Sequence, residues 1–205
     1  PFSNRSYIRD AFKEKGVDVD KEELTQCVKA VRSAMNVVVP GAMSVMKWIE
    51  QEIARAIKSG ADEIKWTTPS GFNVRQRLMK YKSTVIQTQL MGRCEIHLAG
   101  AETGVDLSHH KNATAPNLIH SLDASLLHIA TTSTNFPIAL IHDSVLCRAT
   151  DMCTLSSLVR KTYMHLFAEH EPLTDFALSI GAEEQPPIIG DLKPEAVIDS
   201  QYFFC

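Results

Sequence analysis

The sequence lacks the marks of several common protein classes. Its 205 residues contain no Cys-x-x-Cys, and its five cysteines (Cys27, Cys94, Cys147, Cys153 and Cys205) are odd in number and irregularly spaced. That argues against a disulfide framework or a zinc ribbon and predicts small buried thiols in a reducing compartment. No apolar run approaches the roughly 20 residues needed to span a bilayer, so no membrane partner is expected. There is no basic excess either, since the formal net charge is −3. Phosphate neutralisation dominates nucleic-acid affinity, so this balance speaks against a free-standing DNA-binding module. It leaves room for a local basic stripe within a longer protein. Internal repeats, low-complexity tracts and a nucleophile elbow are also missing, the last of which disfavours a Ser-His-Asp hydrolase. The start, Pro1-Phe2-Ser3-Asn4-Arg5, has no initiator Met and no signal-peptide pattern, and the chain is expected to belong to something longer.

What remains is an ordinary globular composition, 44% hydrophobic and 22% charged, enough for one large domain or two small ones. Residues 21–35 place Leu24, Val28, Val31 and Met35 at helical spacing, behind an acidic first turn. Residues 41–59 do the same with Val45, Trp48, Ile49, Ile53 and Ile57, and Gly60 is a stop. The texture then becomes alternating. Strands are expected at 63–67 and 72–77, around the Pro69-Ser70-Gly71 turn, and at 83–90 and 93–98, around Met91-Gly92. Residues 100–112 read as a polar loop. Pro116 opens a helix to about Thr132. Residues 136–141 and 145–148 form a hairpin, 151–170 a helix and 173–180 a short helix. The fold class is α+β, a small antiparallel sheet packed by helices.

Three segments carry possible chemistry. In Ile138-Ala139-Leu140-Ile141-His142-Asp143-Ser144-Val145-Leu146, an apolar strand delivers Asp143 at a tight bend. Such a carboxylate suits a hard cation in phosphoryl transfer, where two metals act on attacking and leaving oxygens. Asp-Ser is also a good plain turn. In the helix from Ala115 to His128, Asn117, His120, Ser121 and Ala124 share one small polar face, while Leu118, Leu122 and Leu126 share another. The polar face suits a groove for nucleic acid, with His120 donating to a base edge or sugar; a solvated helix face is the plain alternative. After Thr68-Pro69-Ser70-Gly71, Arg75, Arg77, Lys80 and Lys82 are expected to present positive charge on one side of a strand, as a phosphate stripe or merely a solvated face. The histidines 109, 110, 120, 128 and 142 do not have the spacing of a zinc site.

Taken in order, the segments Thr68–Gln76, Ala115–Ser125 and Ile141–Ser144 resemble the C-terminal part of the single-subunit DNA-dependent RNA polymerases of bacteriophages and mitochondria. The tail Asp199–Cys205 resembles the short aromatic end of that family. The resemblance implies the later part of a right-hand polymerase: residues 1–114 as part of the fingers, with a hairpin at about 78–107 in the promoter-loop position, and 115–205 as the C-terminal half of the palm. It implies that Asp143 is the second of two aspartates holding a Mg²⁺ pair, with His142 supporting it. Asn117, His120 and Ser121, together with Arg75, Arg77 and Lys80, would meet nucleic acid. Implied partners are a DNA template, nascent RNA, nucleoside triphosphates and the N-terminal remainder of the polymerase, which would carry the first catalytic Asp and the nucleotide-binding helix. The isolated chain is accordingly expected to be inactive. The cytoplasm of an infected bacterium is the expected location, with the mitochondrial matrix second. A related DNA polymerase palm and a non-catalytic polymerase-derived protein remain as alternatives. Ser144 after His-Asp, where the DNA enzymes carry Glu, favours the RNA enzyme.

Overall fold

A computed structural model describes residues 2–88, 94–188 and 190–203. Residue contacts divide the chain into two units, one of 1–46 with 187–189 and one of 47–186 with 190–205.

The first unit is helical. Helices α1 (Phe2–Glu14) and α2 (Lys21–Val38) pack on each other. Asp20 caps α2 by accepting from Glu22 N–H and Glu23 N–H, while Glu23 returns the bond to Asp20 N–H, so orphan donors at the helix start are satisfied reciprocally. Leu24 is buried, but Val31 and Met35, expected to pack, are exposed. Helical periodicity identifies an apolar face without saying what covers it. Helix α1 was not anticipated from the sequence. Helix α3 (Pro40–Lys58) matches its expected stripe: Val45, Trp48, Ile49 and Ile53 are buried.

The second unit begins within α3, at Lys47, and carries every strand. Its antiparallel pairs form three separate two-stranded ribbons among the described residues, not the single sheet expected. β1 (Ile64–Thr67) pairs with β2 (Asn73–Gln76), β3 (Met79–Thr88) with β4 (Cys94–Val105), and β5 (Ile138–Ile141) with β6 (Ser144–Cys147). Ile64 and Trp66 point inward, and Trp66 meets Phe176 edge-on at 5.7 Å, anchoring β1 on helix α6 (Pro172–Ile180). Trp48 of α3 meets the same ring at 6.4 Å and donates to Glu184 O at 3.0 Å.

Residues 100–112 are not a loop. Gly100–Val105 completes β4, which pairs with a β3 that starts at Met79, and helix α4 (Leu107–Thr132) begins nine residues before the expected start at Pro116. Polar residues disguise both elements. Asp106 accepts from His109 N–H at 2.9 Å and so starts the helix, and the buried His110 and Thr114 hold its first turns. Proline inside a helix forfeits one backbone bond; here Pro116 sits within α4 and that loss is tolerated. The Met91-Gly92 turn lies outside the described residues.

Under β5–β6, Ala130 of α4 and Leu155 and Val159 of helix α5 (Met152–Glu169) form a core that Phe136, Val145 and Cys147 join. Arg160 donates to Val197 O at 2.6 Å and to Ser200 O at 2.7 Å, while its guanidinium lies over the Phe203 ring. These contacts dock the tail on α5.

Candidate functional site

The turn between β1 and β2 is built by its own residues. Gly71 N–H donates to Thr68 O at 2.8 Å across Pro69-Ser70, and Thr68 Oγ1 accepts from Phe72 N–H at 3.1 Å. Pro presets the first turn residue, and Gly71 takes φ +82°, which a side chain would resist. This hairpin is then stitched to α4 at three levels. Trp66 Nε1 donates to Ser121 Oγ at 2.9 Å, Ser70 N–H donates to Ser125 Oγ at 2.7 Å, and the Gln76 amide reaches Thr114 Oγ1 at 2.8 Å and the Asn117 amide at 2.7 Å. Residues 114, 117, 121 and 125 recur at intervals of three and four, so one side of the helix carries every stitch.

The stitching leaves an open groove of about 530 Å³ between the hairpin and α4. Arg75, Arg77, Asn117, His120 and Ser121 line it, so five of the expected nucleic-acid residues are brought together from two distant segments. Their states differ. Asn117 and His120 are exposed. Ser121 is largely committed: besides accepting from Trp66, its hydroxyl donates to Leu118 O at 2.7 Å. Lys80, on β3, is exposed but is not among the lining residues.

The expected row of four cations along one strand is not formed. β2 ends at Gln76 and β3 starts at Met79, which places Arg75, Arg77 and the two lysines on three different segments. The cause is Gln76, drawn into a buried network, and Leu78, whose N–H donates to His110 Nε2 at 3.1 Å instead of continuing the strand. Both arginines also have carboxylate partners. Glu63 pairs with Arg75 and Lys65, and these two bonds hold its carboxyl below the usual range. Arg77 pairs with Glu102 at 2.9 and 2.6 Å, which lowers the acid and raises the guanidinium.

Asp143 sits in a two-residue hairpin loop, since Ile141 pairs with Ser144. His142 takes φ +56°, the only positive value at a non-glycine among the described residues. A two-residue hairpin demands a left-handed residue at its first loop position, and histidine fills it at a cost of roughly 1–3 kcal/mol. Asp143 is exposed, and among the described residues its carboxylate makes no ion pair. The hairpin is less buried than its apolar sequence suggested. Val145 and Cys147 face the core, whereas Leu140, Ile141 and Leu146 are exposed. Strands apolar on both sides suit a sheet covered on both faces; among the described residues, one face of this ribbon is covered.

Asp123 was given no role from sequence. It stands one helical turn beyond His120. Loss of solvent and the Asp143 carboxylate push its own carboxyl above the ordinary range, against an opposing pull from His120. Its signal was present in the sequence, as an acid within the Ala115–Ser125 segment. Among the described residues no group of three or more His, Cys, Asp or Glu side chains is placed to hold a metal ion.

The DNA-dependent RNA polymerase family profile matches residues 2–185. A DNA-directed RNA polymerase of Pseudomonas phage phiKMV is 30% identical over 178 residues, covering 85% of this chain and 22% of the phage protein. DNA-directed RNA polymerase 2A of Nicotiana tabacum is 30% identical over 213 residues, covering 98% of this chain and 63% of its own length. The chloroplastic/mitochondrial DNA-directed RNA polymerase 2 of Arabidopsis thaliana is 28% identical, covering 98% of this chain and 21% of its own. The chain thus spans about a fifth to under two thirds of these relatives, and no helix among the described residues is long and apolar enough to cross a membrane. With the family profile covering most of its length, the chain belongs to the DNA-dependent RNA polymerase family.

Proposed function

We propose that this chain is the C-terminal portion of a phage-type DNA-directed RNA polymerase and contributes one metal-binding carboxylate and part of the hybrid-binding groove to template-directed nucleotidyl transfer. The observation that carries the reading is the His142-Asp143 loop. A left-handed histidine holds an exposed carboxylate, without an ion pair among the described residues, in a two-residue hairpin loop. Strain of this kind persists where the surrounding structure over-determines it, and it collects at functional sites.

An oxygen donor without a cationic partner fits Mg²⁺, which uses one or two carboxylates and completes its shell with water and substrate phosphates. When bound, the Mg²⁺ pair would stabilise charge on the attacking and leaving oxygens. Asp143 would supply a ligand, and His142 would set the loop that aims it. Asn117 and His120 would contact the template–RNA hybrid, and Arg75, Arg77 and Lys80 its phosphates. Arg75 and Arg77 would exchange their carboxylate partners for phosphate or share them.

Residues 1–114 would form part of the fingers, with β3–β4 in the promoter-loop position, and 115–205 the later palm. The uncovered face of β5–β6 would pack against the remainder of the polymerase, which supplies the first catalytic Asp. The location is that of the whole enzyme, the cytoplasm of an infected bacterium. The test is template-directed extension by the complete polymerase carrying Asp143→Asn. Loss of a charged ligand should lower turnover by several orders of magnitude with unchanged folding, whereas a plain turn residue tolerates Asn. Near-normal turnover would refute the assignment. The chain alone should extend no primer.

A further inference from the structure

The groove wall carries a large apolar side chain that the catalytic reading leaves unused. Phe72 lines the groove and is 62% exposed. A single apolar residue on a surface is ordinary, but this one is held still. Thr68 N–H donates to the Phe72 carbonyl at 2.9 Å, and Phe72 N–H donates back to Thr68 Oγ1 at 3.1 Å. Thr68 is itself buried. The turn between them is closed by Gly71 N–H on Thr68 O and pinned to α4 by Ser70 N–H on Ser125 Oγ. Both polar backbone groups of Phe72 are thereby committed, and only its side-chain torsions remain to be ordered by a ligand.

Strand alternation sets where the ring stands. Phe72, Val74 and Gln76 fall two residues apart and so share one side of the hairpin. Gln76 is buried against Thr114 and Asn117 of α4, Val74 is half-buried, and Phe72 is open. The wall thus rises from a buried amide to an exposed ring, and Arg75 and Arg77, which alternate with these residues, also line the groove. Cations that can follow a phosphate backbone, joined to an aromatic face for a base, are the composition of a nucleic-acid groove. The ring offers a phosphate nothing, because its face carries partial negative charge. A base does match it, and every base has a flat π-face, so such a contact is blind to sequence. Template-directed synthesis requires that blindness, since any of the four bases can occupy a given position. Bases inside a duplex are already stacked on their neighbours, which leaves a free face only at an end of the paired stack.

We propose that the Phe72 ring stacks on the free face of a base at an end of the RNA–DNA hybrid and holds the hybrid in the groove without reading its sequence. The turn is rigid before the nucleic acid arrives, so little further ordering opposes binding. Phe72 acts in binding and takes no part in the chemical step. The inference rests on the reading of the groove as a seat for an RNA–DNA hybrid.

The test uses the complete polymerase bound to a preformed RNA–DNA scaffold, so that no catalysis is needed. With photoreactive p-benzoylphenylalanine in place of Phe72, light should join the protein to a nucleotide at an end of the hybrid, whichever base stands there. The same group in place of His120 reports on the groove itself. Capture of nucleic acid from the His120 position but not from the Phe72 position overturns this inference alone, and capture from neither overturns the groove reading with it. Capture of polypeptide alone from the Phe72 position, or of interior paired nucleotides alone, also overturns the stacking. Phe72→Leu should shorten the lifetime of the complex about tenfold, the size of one base stacked on a ring, whereas Phe72→Tyr should preserve it. Because the side chain is exposed, both variants should melt with the unmutated enzyme. Equal lifetimes for Phe72→Leu and Phe72→Tyr would refute the proposal.

Discussion

The left-handed backbone at His142 makes a quantitative prediction that does not depend on catalysis. At φ +56° a Cβ crowds the following carbonyl, a clash worth roughly 1–2 kcal/mol for an L residue. Glycine escapes it but gives back about 0.5–1 kcal/mol because its unfolded chain has more freedom to lose. His142→Gly and His142→Ala both delete the imidazole, so their difference isolates the backbone. At the middle of both ranges His142→Gly should therefore exceed His142→Ala by about 0.7 kcal/mol. For a chain of 150–250 residues that is about 1.5–3 °C in melting temperature, readable by circular dichroism. The loop is an exposed two-residue connection, so neither variant leaves a cavity that would mask the comparison. If His142→Ala melts at or above His142→Gly, no strain is stored at this bend, and the argument that a functional constraint keeps histidine there fails.

Ser125→Ala should cost about 1–3 kcal/mol in denaturant unfolding, because it strands the Ser70 N–H that its buried hydroxyl accepts at 2.7 Å; a cost near zero would mean that the turn is not stitched to α4. Acid should destabilise the second unit in two stages. His110 is depressed below its ordinary 6.5 by burial, with His109 adding to the effect and Asp106 opposing it, so the unfolded chain binds its proton first and stability falls as pH drops below about 6.5. Glu52 is buried, which would raise its pKa, but bonds from Arg55 and Glu183 N–H outweigh this and lower it; its contribution is lost as pH falls below about 4.5. His110→Gln should remove the upper stage and keep the lower one, as read by melting temperature against pH.

The sequence by itself determined the features that depend on near neighbours. Helical spacing in α3, the Pro69-Ser70-Gly71 turn and the His142-Asp143 bend between two apolar runs are local, and the structure contains each of them. The order of the three motifs was legible too, and it carried the family. What only the tertiary structure decided was which polar groups remain available. Ser121 shared a face with Asn117 and His120 on paper, yet Trp66 occupies its hydroxyl from 55 residues away. Arg75 and Arg77 read as free cations until Glu63 and Glu102 are placed beside them. Residues 100–112 read as a loop because strand pairing to Met79–Thr88 and the His110–Gln76 contact, not local preference, hold them in β4 and α4. Periodicity follows from backbone geometry and can be read along the chain. Hydrogen bonds and ion pairs between distant segments are fixed only when packing brings the partners together. For that reason the bend that carries Asp143 could be placed in advance, and the network under Asn117 could not.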